Sequence, residues 1–331
     1  MNNIKINSLF KSYSSITPGC AIGVTKGNKL LFKTSFGLAN VQEKIPITSS
    51  TPFRLASLTK PFTAMSIMLL KEQGKLHYDD SLKSFFSNLP LFLENVTLRQ
   101  LMTHTAGIPD HEKLLYKQIS IGDEPTIYDS LKVLSQRKRL LFNPEKKYKY
   151  SDAGFVLLAL VIEKVSKQKY AAFLKKNIFD PLLLTNTFVM DETKPVYPKR
   201  AIGYRKKYNH YEIYDYDPLN YIIGDEGIFS SVNDLSKWQK AWTSEILVKE
   251  ETLKEALSLS QLQDGRKGKC GFSWFITKDY IYHDGFWVGF NNIMLYEKKS
   301  DISIVLLSNT NDFLGEKNKM ATAVSILRNF N

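Results

Sequence analysis

Only two cysteines, Cys20 and Cys270, occur in 331 residues. That is too few for a disulfide framework, and their spacing matches no metal site, so both read as buried thiols. Histidine is also scarce, with five in the chain. No His-x-x-x-His pair or comparable ligand spacing appears, so the sequence implies no metal and no metal catalysis. Phosphate-loop and dinucleotide glycine patterns are missing as well, and no cofactor is implied. No apolar run approaches the roughly 18 residues of a membrane span. The opening MNNIKINSLFKSYSS has no continuous apolar core followed by a small-residue cleavage site, so it does not read as a secretory signal. The expectation is a soluble cytoplasmic protein, or a periplasmic or extracellular one if a leader was removed.

What is abundant is positive charge: 45 Lys and Arg against 33 Asp and Glu, a formal net charge of +12. Such a field attracts polyanions, but the lysines are scattered. Short clusters lie at Arg137 to Arg139, Lys146 to Lys149 and Arg205 to Lys207, with no zinc-finger, helix-turn-helix or RNP pattern beside them. No nucleic-acid partner is expected. With 43% hydrophobic and 24% charged residues the chain is an ordinary globular one, and its expected partner is a small-molecule or peptide substrate.

Residues 3 to 14 are weakly helical. Cys20 to Thr25 and Leu30 to Phe36 are β-prone runs joined by Lys26, Gly27 and Asn28, which reads as a hairpin. From about residue 58 the period becomes helical and ends at Gly74, where a helix C-cap belongs. Thr97 is a good N-cap for a helix carrying Leu98, Leu101 and Met102. Ile127 to Gln136 and Ala153 to Lys167 are helical in pattern. Residues 190 to 225, rich in Tyr, Pro and Asp, read as irregular structure over a site. Val232 to Trp242 is helical, with Asn233 or Asp234 as cap. Strands follow at Gly271 to Thr277, Tyr280 to His283, Asn291 to Tyr296 and Ile302 to Leu307, then a helix near Lys317 to Phe330. Strand-rich ends around a helix-rich middle predict an α+β fold, an α/β sandwich with an antiparallel sheet built from both chain ends. The expected division is a sheet domain of residues 1–55 and 230–331 and a mainly helical domain of residues 56–229, with the site between them.

Chemistry enters with Phe53-Arg-Leu-Ala-Ser57-Leu-Thr-Lys60-Pro61. A serine hydroxyl needs a base to act as nucleophile, and a lysine three residues on shares its helix face. Burial and the helix N-terminus both favour a neutral amine. Alone, Ser-x-x-Lys is a chance-level spacing. A second segment, Pro144 to Phe155, sets Tyr150, Ser151 and Asp152 at a loop-to-helix junction ahead of the apolar VLLALVIEKV.

Together the two segments resemble the serine β-lactamase and penicillin-binding-protein superfamily, closest to its class C β-lactamase, D,D-carboxypeptidase and esterase branch. There a Tyr-x-Asn element follows the Ser-x-x-Lys. A third element, His283-Asp284-Gly285, resembles the Lys/His-x-Gly strand, and LMTHTAGIPD (Leu101 to Asp110) and GDEGIFSSVNDLSKW (Gly224 to Trp238) look familial too. The resemblance spans residues 18 to 310. It implies a β-lactamase/transpeptidase-like fold, Ser57 as nucleophile, Lys60 and Tyr150 jointly as base system, and an oxyanion hole from the backbone N–H groups of Ser57 and Phe286.

Departures shape the substrate expectation. Asp152 stands where Asn is common, and a carboxylate accepts but does not donate, so it is expected to hold Lys60 and raise its pKa. Asp284 stands where β-lactamases have a small hydroxyl residue and is expected to repel a substrate carboxylate. His283 is expected to titrate near neutrality, while His104 and His111 are expected in packing. The implied activity is hydrolysis of a D-amino-acid peptide, amide or small ester through an acyl-enzyme, more than of a β-lactam. The alternative is a non-catalytic or slowly acylating penicillin-binding sensor.

Overall fold

The structure, a computed structural model, describes residues 2–27, 29–191, 199–312 and 318–330. Six strands form one antiparallel sheet: β1 (Cys20–Lys26), β2 (Lys29–Phe36), β3 (Phe275–Ile276), β4 (Tyr280–Trp287), β5 (Phe290–Glu297) and β6 (Ile302–Ser308). Their order across the sheet is β3-β4-β5-β6-β1-β2. Both chain ends therefore meet in the pairing of β1 with β6, Cys20 opposite Ser308 and Val24 opposite Ile304.

Alternation along these strands makes two cores. Cys20, Ile22, Val24, Ile293, Leu295, Ile302, Ile304 and Leu306 face one way, covered by Ile6, Phe10, Ala323, Ile326 and Leu327. These covering residues come from or directly follow α1 (Asn2–Leu9), and from α5 (Lys319–Leu327). Met294, Val305 and Leu307 face the other way and join the main core with the remaining helices. There α4 (Val232–Trp238) lies against β1 and β6. Trp238 stacks on Phe62 of α2 (Lys60–Glu72), ring centroids 3.9 Å apart and nearly parallel at 9°, so the helix seated on the sheet also clamps the helix that starts at Lys60.

The other central helix is α3 (Asp152–Ser166). It is buried without a break from Ala153 to Ile162, as an apolar helix must be when neighbours surround it. It packs on α2 and on Leu98–Met102. The Thr97 cap is realised as a capping box with Gln100.

Several elements differ from the sequence expectation. Gly271 to Thr277 shrinks to the two-residue β3, because Phe272 and Ser273 donate instead to the Ala256 and Met102 carbonyls. The helix from Val232 breaks after Trp238, and its cap is Ser231, whose hydroxyl accepts the Asp234 N–H. The middle segment is more regular than expected, with a hairpin of Tyr204–Lys207 and His210–Ile213 and a short turn of helix at Pro218–Tyr221. Residues 192–198 of that segment, Asn28 of the expected first hairpin, and Lys317 at the expected start of the last helix lie outside the described residues.

Candidate active site

Two short strands, Phe53–Arg54 and Ile228–Ser230, pair and bring residue 57 beside the turn that precedes Ile228. Ala56 then takes φ +53°, a region a residue with a Cβ enters only under tertiary constraint. Ser57 follows in the single helical turn Ala56–Thr59, and α2 begins at Lys60 with Pro61 in its first turn. The last peptide units before Ser57 lie against β4. A Cβ on Gly285 would sit 2.1 Å from the Leu55 carbonyl oxygen, so only glycine lets the strand edge come this close to the serine.

Lys60 is fully buried. Its Nζ donates to Ser57 Oγ at 3.0 Å and to the Asp225 carbonyl at 3.1 Å, and it pairs with Asp152 Oδ1 at 2.6 Å. Three acceptors match the three protons of an ammonium. Burial alone would lower its pKa, but the charges of Asp152, Tyr150 and Asp225 overcome this and hold it well above the usual lysine value. Asp152 in turn ionises below the usual carboxylate range: burial opposes this, and the Lys60 ammonium wins. The expectation for Asp152 and Lys60 is therefore met.

The Tyr150 ring stands over the same lysine, its centroid 5.1 Å from Lys60 Nζ, and burial pushes its pKa up although the ammonium and Ser57 beside it pull the other way. His104 stacks on the Tyr150 ring at 4.4 Å, and its Nδ1 accepts the Ser151 N–H at 3.1 Å. The His104 ring thus fixes both neighbours of the loop-to-helix junction, a packing role. Burial holds it neutral, with a pKa near 3.

The third element divides its side chains between the two faces of the sheet. His283 and Gly285 face the cleft. His283 Nδ1 donates to the Asp284 carbonyl at 2.6 Å, its ring lies 6.3 Å from that of Tyr150, and burial lowers its pKa to about 4. The expected titration near neutrality is thus overturned. Asp284 stands opposite Ile293 on the outer face and pairs with Lys319 of α5 at 2.7 Å, so it does not meet a substrate. Phe286 is 55% exposed at the mouth, and the Trp287 indole donates to Asn220 at 2.9 Å.

The resulting cleft, about 400 Å³, is lined by Ser57, Tyr150 and Asp152 together with Glu112, Asp217 and Glu226. Asp217 accepts from Tyr116, which leans over the opening. Burial, reinforced by neighbouring carboxylates, raises Glu112 to about 8 and Glu226 well above the usual range. Asp225 rises to about 7 through burial, against the pull of Lys60. The sequence reading missed these acids: Glu112 lies just past Leu101 to Asp110, Asp217 in the segment 190 to 225, and Asp225 and Glu226 in Gly224 to Trp238. Their signal is an Asp-Glu pair between Gly224 and Gly227, glycines with φ +101° and +96°.

A family model described as Beta-lactamase matches residues 6–327 of the chain. The chain belongs to the Beta-lactamase family. It is 30% identical to penicillin-binding protein 4* of Bacillus subtilis over 86% of its own length and 66% of that protein, and it spans 60–66% of the length of the first curated relatives it matches. Among solved structures it resembles a penicillin-binding protein from Bacillus halodurans, with TM-score 0.83 and 25% identity, covering 98% of this chain and 99% of that one. An octameric penicillin-binding protein homologue from Pyrococcus abyssi has the same TM-score and identity, covering 99% and 77%. Within this Beta-lactamase family member no described helix is long and apolar enough to cross a membrane.

Proposed function

We propose that the chain is an acyl-serine hydrolase acting on an amide or ester whose acyl part carries a positive charge, such as a D-amino-acid amide or peptide with a free amine. Ser57 Oγ attacks the carbonyl carbon as its proton is relayed through the Lys60–Tyr150 pair, which takes it up while passing one of its own protons to the leaving amine or alcohol. Water attacks the resulting ester, releases the acid and restores Ser57. The backbone N–H groups of Ser57 and Phe286 are the oxyanion donors in this reading.

The reading rests on Lys60 Nζ lying 3.0 Å from Ser57 Oγ, with the Tyr150 ring centroid 5.1 Å from the same nitrogen. The substrate class is supported by the four carboxylates lining the cleft, with no basic side chain among its described lining residues. Burial holds Glu112 and Glu226 protonated near neutral pH and Lys60 offsets Asp152, but an entering ammonium favours their ionised form and pairs with it, whereas the carboxylate of a β-lactam finds no basic partner among the lining residues. Disfavour of β-lactams therefore rests on these acids and no longer on Asp284.

Ser57→Ala is expected to abolish turnover of p-nitrophenyl esters and labelling by a fluorophosphonate; turnover above a few per cent refutes the nucleophile. A panel of D-amino-acid amides, their N-acetylated counterparts and a chromogenic cephalosporin tests the substrate class. Free-amine substrates are expected to lead, and rapid cephalosporin turnover refutes it. The resting protonation of both Lys60 and Tyr150 supports a second reading, a slowly acylating sensor, which releases one leaving group per chain and stops.

A further inference from the structure

Beside the nucleophile stands a group of side chains that the acyl-transfer steps do not use. His111 and Glu112 open the short helix His111–Leu115, and Asp225 comes from the Gly224–Gly227 turn. One potential ligand atom from each lies within 4.8 Å of the other two. His111 is 1% exposed and Asp225 2%. Neither ring nitrogen of His111, nor Oδ1 of Asp225, has a hydrogen-bond partner among the described residues. Imidazole always offers at least one N–H, and a lone pair when neutral, and a ring buried with neither engaged has lost its water for nothing in return.

A cation accounts for one His111 ring nitrogen and for Oδ1 of Asp225 together, since it takes a lone pair from each, with the Glu112 carboxylate as third donor. The Asp152 carboxylate lies nearby and favours a cation here, and Lys60 opposes it. We propose that His111, Glu112 and Asp225 bind one divalent transition-metal ion of the zinc class, with water completing its coordination on the cleft side. One imidazole with two carboxylates suits zinc better than calcium or magnesium, which take oxygen ligands alone. Bonds of about 2.0 Å in tetrahedral geometry need ligand atoms about 3.3 Å apart, and the partly exposed Glu112 can swing inward to close that distance. Spacing rules miss the site because two ligands are adjacent and the third lies on a distant segment.

Asp225 separates this site from the nucleophile: its backbone carbonyl holds Lys60, while the free carboxylate oxygen belongs to the new site. Ion binding is therefore independent of the acyl-serine reading. A further consequence does rest on that reading: an ion here withdraws Glu112 from a cationic substrate and inhibits turnover.

The test uses the full Ser57→Ala chain, stripped with chelator and titrated with zinc chloride by calorimetry and with cobalt by visible absorption. One equivalent per chain is expected, with cobalt absorption stronger than that of the aqueous ion. His111→Gln and Asp225→Asn are expected to weaken binding by about tenfold or more, and Glu112→Gln, at a partly exposed position, gives the same loss should the buried variants misfold. Replacing the exposed His77 and His210 together by Ala is expected to leave binding unchanged. Absence of stoichiometric uptake, or uptake unaltered by Glu112→Gln and His111→Gln, overturns the proposal.

Discussion

Replacing Asp152 by Asn removes one charge from beside the fully buried Lys60 and keeps the shape around it. The carboxylate lies 2.6 Å from Lys60 Nζ, which is fully buried. At that distance and an effective dielectric of about 20 the pair attraction is about 6 kcal/mol, an upper bound. The part expressed as proton affinity at such contacts is about 1.4–4 kcal/mol, a factor of about 10 to 1000. The sign does not depend on which group is the base. The Asp152 charge raises both Lys60 and Tyr150, so its loss makes either one easier to deprotonate. The acid limb of kcat/KM for an activated ester is therefore expected to move to lower pH, and at a fixed pH on that limb the rate rises about tenfold or more. The assay is a pH–rate profile of both proteins with a p-nitrophenyl ester, with unfolding followed in urea. Asn still offers an amide oxygen to the ammonium, whereas Asp152→Ala leaves it short of a partner and is expected to cost about 3–5 kcal/mol of stability. A limb that stays in place, or moves to higher pH, refutes this account of the Lys60–Tyr150 pair.

Gly285→Ala is expected to lower kcat/KM for an activated ester by about a hundredfold, because a Cβ 2.1 Å from the Leu55 carbonyl pushes β4 away from Ser57; activity within twofold of the parent contradicts the close approach. Asp284→Asn breaks a pair whose acid is 41% exposed on the outer face, so stability is expected to change by no more than about 1 kcal/mol and kcat/KM for anionic and cationic esters alike to stay within about twofold. A selective gain for anionic substrates would place Asp284 back in the cleft. His283, held near 4 in the fold against about 6.5 unfolded, is neutral in both states above pH 6.5 and contributes nothing there. Between about pH 6.5 and 4 the unfolded chain takes up a proton that the native site refuses, so stability is lost as pH falls. His283→Gln is expected to remove about 1.4 kcal/mol per pH unit of that loss, read from urea midpoints of the two proteins at pH 7, 6, 5 and 4.5; parallel pH curves would show that His283 is not buried neutral.

The sequence by itself determined the parts whose physics is local. Short β-prone runs marked the strands of the sheet, the 3.6-residue period marked α2 and α3, and Thr97 marked its own helix start. The order Ser57-x-x-Lys60, Tyr150, His283-x-Gly285 was enough for the family, because chemistry needs those residue types whatever surrounds them. Facing and burial were decided only by the tertiary structure. Asp284 read as a substrate-facing residue, yet a strand reverses side at every residue, and the register that sets Asp284 opposite Ile293 turns it to Lys319. His283 read as a group near neutrality, and burial beside Tyr150 makes it a neutral one. Glu112, Asp217 and Glu226 looked like ordinary charges in a basic chain. They became one acidic cleft only when residues far apart in the chain folded around Ser57, where low solvent exposure makes each charge felt by the next.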